Sequence, residues 1–340
     1  MSDPPPTAAA PSADGDVLNC DVLLNCDVAG LGTILVDHQI FLDTYPAHDT
    51  KTEINSDRFQ VGGPVPTALV VLSRFGKTCQ FMGRWGKDTF GELIEADLRR
   101  ERVNFDAAVC ARAESSGFAH VWVDRATASR TIVFSRARAE SDTVGMNTAE
   151  IDTAEINTAE INTAEIDEKS FSQCRLLHVD GWSSGAAIKA AECVKRNGGK
   201  VFLDAGSPKP GLRDLLPLVD VVNAPQRFAK LFFATDDTDE AAHRLRDMGC
   251  ETVIFTHGAD GAVLYNSDGR IEQPAFSVTA VDTTGAGDVF CGAFLYALLE
   301  EWSAADSLKF AAATAALKCT RIGNRAALPT KEDVLDLMNR

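Results

Sequence analysis

The sequence is poor in basic residues. Lys and Arg number 33 against 49 Asp and Glu, which gives a formal charge of −16 at pH 7. That balance argues against nucleic acid or an anionic membrane as the main partner, because a phosphate backbone needs clustered Lys and Arg. It leaves room for a small anionic ligand, which backbone N–H groups and a metal ion can hold locally. No CxxC pair occurs among the nine scattered cysteines, which fits a reducing compartment and excludes a zinc ribbon. HExxH and GxSxG are missing, so hydrolase readings have no support. GxxxxGK[ST] is missing too, which excludes a P-loop enzyme. "GLG" at Gly30 to Gly32 lacks the third glycine of a dinucleotide fingerprint. The apolar stretch "VFCGAFLYALL" near the C-terminus has eleven residues, too few to cross a bilayer. "MSDPPPTAAAPSADG" has neither the basic start nor the apolar core of a signal peptide. A soluble cytoplasmic protein without a membrane partner is expected.

What is present reads as one large α/β domain. Hydrophobic content of 45% is enough for a sizeable core. Residues 1–15, rich in Pro, Ala and Ser, predict a disordered tail, and the domain spans 27–335. "DVAGLGTILVD" reads as a buried strand ending at Asp37, and "PTALVVLSRF" as a helix with Pro in its first turn and Gly76 after its end. Further on, "RLLHVDG", "AAIKAAECVKRNG", "KVFLDAG", "LLPLVDVVNA", "DEAAHRLRDMG" and "TVIFTHG" alternate strand and helix signals. Such alternation predicts a mostly parallel sheet with helices on both faces, whose ligands bind at the carboxyl ends of strands. Asp37, Asp180, Asp204, Asn223, Thr256 and Asp282 all stand where a strand gives way to a loop.

Residues 148–167 are four tandem copies of Thr-Ala-Glu-Ile-Asp/Asn inside a low-complexity insertion at 147–168. A five-residue step advances a helix by about 500°, or about 140° net, and it switches faces on a strand, so neither buries Ile151, Ile156, Ile161 and Ile166 on one side. The reading is a tolerated surface insertion without chemistry.

The chemistry concentrates in "DTTGAGDVFCGAFLYALLEEW". Gly285 and Gly287 let the backbone turn sharply in front of a helix, whose first N–H groups lack internal partners and carry the positive end of the dipole. Together the glycines and these N–H groups make an anion hole suited to a transferring phosphoryl group. Asp288 beside it either caps the helix, as acids commonly do, or accepts a proton from a substrate hydroxyl. The Gly-Ala-Gly before it and the acid at Asp282 favour the second role. Gly62 and Gly63 precede a helix and offer a surface for a small polyol. Thr256 and Gly258 could meet nucleotide phosphates, with Gly261 making the turn. Arg84, Arg136 and Arg138 are candidates for an anionic substituent.

Together these stretches resemble the ribokinase-like carbohydrate kinases, from about Val28 to Pro329. "DTTGAGD" is similar to that family's C-terminal signature, and "VGGPVPTALVVLSRFGKTCQFMGRWGKDTFG" to its N-terminal one. "SRTIVF" and "GLGTILVDHQIFLDTYP" are similar to ketohexokinase-type members. "QPAFSVTAVDTTGAGDVF" with "AALKCTRIGNRAALP" resembles the sulfofructose kinase subgroup. The resemblance implies a Rossmann-like three-layer sandwich with a small β-sheet lid, its strands at about 38–61 and 117–136. It implies transfer of the ATP γ-phosphoryl group to a sugar hydroxyl, with Mg²⁺ bridging the phosphates. Carried over position by position, Asp288 is the general base and Gly285, Ala286 and Gly287 are the anion hole, while Asp37, Gly62, Gly63 and Thr67 face the sugar. Asn223, Thr256, Gly258, Gly261 and Gly323 border the nucleotide. A potassium ion near Asp282 and Thr284 and a homodimer paired through the lid strands are further expectations of the resemblance. The sequence departs from the family pattern at three places. Pro64 and Thr67 stand where the family often has Asn, and Gln226 replaces the Glu of its NxxE motif, losing a charge that organises hydrated Mg²⁺. A nucleoside kinase of the same fold, or a sugar-binding protein without catalysis, are the competing readings. A larger apolar pocket for a base would mark the first, and steady ATP consumption with any sugar would remove the second.

Overall fold

The computed structural model describes residues 26–54, 56–125, 129–139 and 158–340. The tail at 1–15 and the first half of the repeat lie outside the described residues. Among the described residues thirteen strands form two sheets. The large sheet contains β1 (Val28–Leu31), β4 (Cys79–Met82), β5 (Val103–Asn104), β8 (Leu176–Val179), β9 (Lys200–Asp204), β10 (Val221–Pro225), β11 (Thr252–Thr256), β12 (Ala262–Asn266) and β13 (Gly269–Gln273). The small sheet contains β2 (Leu35–Leu42), β3 (Asp57–Gly62), β6 (Phe118–Asp124) and β7 (Arg130–Ser135).

The large sheet runs in the order β13-β12-β11-β10-β9-β8-β1-β4-β5. It is parallel except where β12 pairs antiparallel with both β11 and β13. Its inner strands are short and buried on both faces, as in the fully buried "LLHV" of β8, because helices cover them. The main core draws on residues from Cys26 to Val334. Its most apolar helix, Ala286–Leu299, packs against Pro64–Arg74 and Ala304–Cys319. Among the described residues no helix is long and apolar enough to cross a membrane.

The small sheet runs β3-β2-β6-β7 around its own cluster of Leu35, Phe41, Ala119, Val121 and Val123. Its strands coincide with the two stretches expected for a lid. The stretch "DVAGLGTILVD" is not one strand but two. β1 ends at Leu31, the Gly32 N–H turns to the Met82 carbonyl at 3.1 Å, and the chain re-enters the small sheet at Leu35. The helix after the paired glycines starts at Pro64, earlier than the sequence suggested, and Gly63 precedes it with φ +111°. A side chain at Gly63 would collide with the Thr33 carbonyl, so glycine is required there.

The repeat corrects a second expectation. Ile161 and Ile166 are 4% and 3% exposed and belong to the main core. Neither period applies because this stretch is irregular, with only a short turn at Thr163–Glu165 capped by Asn162. Glu165 binds the guanidinium groups of both Arg84 and Arg112. The last two copies are therefore structural. Ile161→Ala should cost about 2–5 kcal/mol, the range for emptying a buried aliphatic site, read from the midpoint of urea unfolding. An unchanged midpoint would return the segment to the surface.

Candidate active site

The loop from Asp282 delivers the helix Ala286–Leu299 to the carboxyl edge of the sheet. Gly285 precedes the helix at φ +75°, and a side chain there would come 3.0 Å from Asn324 Oδ1. Asp288 falls in the first turn, and no side chain caps this helix. The capping role is thus not the one Asp288 plays. The Ala286 N–H bends back to the Thr283 carbonyl at 3.3 Å. Gly287, in the first turn at the positive end of the helix, is exposed and has no atom within 4 Å of where a side chain would stand.

Four acids converge here from different elements. Asp180, just past β8, accepts from the Thr33 N–H at 2.7 Å and the Trp182 N–H at 3.0 Å. Asp204 ends β9. Asp37, on β2, accepts from Asn324 Nδ2 at 3.2 Å and packs against Gly62. Burial and then the charge of Asp288 push both Asp37 and Asp204 up to about 7. Asp288 is itself raised, by burial first and by Asp180, while Arg130, Lys318 and Arg325 pull it back. Arg130 reaches this loop from β7, its Nη1 donating to Thr283 Oγ1 at 3.2 Å. The small sheet thereby touches the loop that carries Asp288.

Behind the loop, Asp282 is wholly buried. It accepts from the Thr284 N–H at 2.8 Å, the Gly323 N–H at 2.9 Å and Gln39 Nε2 at 3.5 Å. Burial alone would raise its pKa, but the Lys318 ammonium and these N–H groups hold it below the ordinary carboxylate range.

The remaining expected residues divide. Asn223 ends in a buried amide whose Nδ2 meets Cys291 Sγ at 3.2 Å and whose Oδ1 has no partner. Thr256 ends β11, and Gly258 opens onto free space. Gly261 closes the turn by accepting the His257 N–H at 2.8 Å, and Gln226 is exposed at the start of a helix. Thr67 is a correction: it is wholly buried, and its hydroxyl accepts from Arg325 Nη1 at 3.1 Å, so it is withdrawn from any ligand surface. Arg325 holds it while bonding Asp97 Oδ2 at 3.1 Å. Gly323 stands at the Asp282 carboxylate.

Beside Asp180 opens a narrow cleft lined by Gly32, Thr33, Arg84, Arg136, Glu160 and Trp182. Arg136 lies 3.7 Å above the Trp182 ring. Arg84 is committed to Glu165 and to the Val109 and Glu160 carbonyls. Arg138 is exposed and bridges Ser115 and Thr158 through its backbone. Glu160 belongs to the repeat, and burial raises its carboxyl against the pull of Arg136. Sequence reasoning missed Glu160, Arg130, Asn324 and Lys318. The last two lie inside "AALKCTRIGNRAALP", which was singled out for its resemblance and carries no periodic signal.

The model of the pfkB family carbohydrate kinases matches residues 27–331. The chain belongs to that family. It is 26% identical over 313 residues to the ribokinase of Haemophilus influenzae, covering 91% of this chain and 97% of the relative. It is 25% identical over 344 residues to the 5-dehydro-2-deoxygluconokinase of Clostridium beijerinckii, covering 94% of each. Its fold is similar to that of a putative ribokinase II from E. coli in complex with ATP and Mg²⁺, with TM-score 0.73, 21% identity, and coverage of 92% of this chain and 99% of that one. This kinase therefore has the ribokinase-like fold, and Asp180 and Asp204 line the edge where such α/β sheets take ligands. Against expectation, Asp37 and Asn223 lie inside β2 and β10, and Asp282 follows no strand.

The crowding of carboxylates makes a measurable statement. Removing the negative charge in Asp288→Asn should lower the Asp37 pKa from about 7, while burial keeps it above the ordinary value of 3.8. A ¹³C NMR titration of labelled aspartates reads this. An Asp37 pKa unmoved by the substitution would separate the two acids.

Proposed function

We propose that this kinase transfers the γ-phosphoryl group of ATP to a hydroxyl of a small sugar or sugar derivative, with Asp288 as general base. The observation that carries the reading is the placement of Asp288 in the first turn of a helix whose N-terminal face is open at Gly287. A proton acceptor and an anion-binding helix end thus share one site.

The residues present fit a nucleotide. Gly287 and Gly258 leave room for phosphate oxygens, and the orphaned Asn223 Oδ1 supplies a buried acceptor for a hydrated ion or amine. Among the described residues no trio of His, Cys, Asp or Glu side chains could hold a metal ion. That agrees with Mg²⁺ held mainly by phosphates and waters, neutralising their charge when bound. Gln226 can take part only as a neutral acceptor.

The acceptor lies in the cleft beside Asp180, with Asp37 orienting a hydroxyl and the Arg136–Trp182 stack forming the far wall. An aspartate cannot deprotonate an alcohol in advance, since even a raised carboxyl is far more acidic than a hydroxyl. It accepts the proton as the new O–P bond forms and the bond from phosphorus to the departing ADP oxygen breaks. The raised pKa of Asp288 strengthens it as a base for that moment. Arg130 and the free N–H groups of the helix oppose the negative charge that gathers on the moving group. The small sheet acts as a lid: Arg130 couples its position to the loop of Asp288, and closure excludes water from the transfer.

The outer side of that sheet supports a homodimer. Phe59 and Val133 stand in one row on that side and are 53% and 61% exposed; Ile132 and Phe134, on the other face, are 44% and 58% exposed, and β7 is an edge strand. Such an edge is ordinarily covered. A charge at Val133→Asp should give monomers in sedimentation velocity. A wild-type monomer at assay concentration would remove the dimer.

Asp288→Asn should preserve the fold and ATP affinity and lose at least about a thousandfold in turnover, as expected when general-base and charge effects are removed together. An ATP-turnover screen over ketoses, aldoses, sugar acids, sulfosugars and nucleosides supplies the acceptor. Near wild-type turnover in the variant would end the assignment, and turnover confined to nucleosides would replace the sugar.

A further inference from the structure

The resemblance implies a potassium ion at Asp282 and Thr284, and the residues at that position do not fit one. The oxygens of Asp282 already face a cation that belongs to the chain. Lys318 Nζ donates to the Asp282 main-chain carbonyl at 2.8 Å and stands 3.7 Å from Asp282 Oδ2. Both side chains are 0% exposed, so the pair is sealed from solvent. The carboxylate also accepts from the N–H groups of Thr284 and Gly323 and from Gln39, while the buried Thr284 hydroxyl has no partner.

Lys318 lies in the last turn of Ala304–Cys319, and the same turn is tied to the loop by the Val281 and Asp282 N–H groups, which donate to the Cys319 carbonyl at 2.8 and 3.2 Å. A metal ion placed beside Asp282 would meet a buried ammonium of equal charge within a few ångströms. In a site of low dielectric that repulsion is severe. The ammonium also does what such an ion would do: it neutralises Asp282, fixes the loop that presents Asp288, and contributes positive charge toward Asp288 itself.

We infer that the ammonium of Lys318 takes the place of a monovalent metal ion at Asp282, and that this kinase works and folds without potassium. Lys318 is a positioning residue, acting through the loop and touching neither reactant.

The test compares potassium chloride with tetramethylammonium chloride at matched ionic strength, since tetramethylammonium is too large for the site. Wild-type turnover should agree within about twofold between the two salts, and the melting temperature within about 1 °C, because a bound ion would stabilise by mass action. A tenfold or larger activation by potassium, or a melting temperature that climbs with potassium concentration, would overturn the inference. Lys318→Ala removes the tethered cation and exposes the Asp282 oxygens. Its turnover should fall at least about tenfold in tetramethylammonium and recover with potassium or propylammonium, a loss of at least one decade in kcat/KM. A lysine with only a structural role would lower the melting temperature with no recovery specific to small cations, and that result also overturns it. If Lys318→Ala does not fold, the wild-type salt comparison still decides the matter. The turnover arms rest on phosphoryl transfer, whereas the melting arm does not, so a failure of the proposed activity is distinguishable from a failure here.

Discussion

The arrangement of the site depends on one buried carboxylate. Asp282 gathers a lysine from the end of one helix, the backbone N–H groups of Thr284 and of the distant Gly323, and a glutamine from the small sheet. Burying a charge is costly unless it is paired and hydrogen-bonded, and here every contact that meets that cost also fixes a functional element. The loop cannot shift without stranding the charge. Gly285 then turns at a positive φ, the helix begins, and Asp288 emerges one residue beyond open space at Gly287.

In front of that node the electrostatics run the other way. Asp37, Asp180, Asp204 and Asp288 share a confined region, and mutual repulsion with burial raises three of them. Such crowding works against stability and is typical of functional sites. Stable charge behind the loop and strained charge in front of it make a loop that holds its shape while presenting a carboxylate of raised pKa. Arg130 and Arg136 bring the compensating positive groups, one on the small sheet and one over Trp182.

Much of this was legible in the residues. Alternating strand and helix signals anticipated the parallel sheet, since strands buried on both faces read as short apolar runs, and Asp180 and Asp204 at strand ends follow from that topology, whereas Asp37 sits inside a strand of the small sheet. Strand order was not legible, because pairing depends on how helices cover each face. "DVAGLGTILVD" read as one strand because no local signal marks where Gly32 leaves the large sheet. The repeat misled in the opposite sense. A periodicity test presumes regular structure, and an irregular segment can bury Ile161 and Ile166 without any period. Thr67 matched a sugar-facing position by alignment of motifs, yet its environment is set by Arg325, more than 250 residues later in the chain. Lys318 escaped notice for a related reason: in sequence it is one polar residue near a helix end, and only packing shows it sealed against Asp282.

The central claim is that the loop held by Asp282 brings a phosphoryl group to the helix terminus and an acceptor hydroxyl to Asp288. The most direct measurement is a crystal structure with a non-hydrolysable ATP analogue and the best acceptor from the turnover screen. The account predicts the terminal phosphate within hydrogen-bond reach of the Gly287 N–H, and the reacting hydroxyl against the Asp288 carboxylate, in line with the phosphorus. A terminal phosphate bound away from that helix end, or an acceptor whose hydroxyls all point away from Asp288, would contradict it.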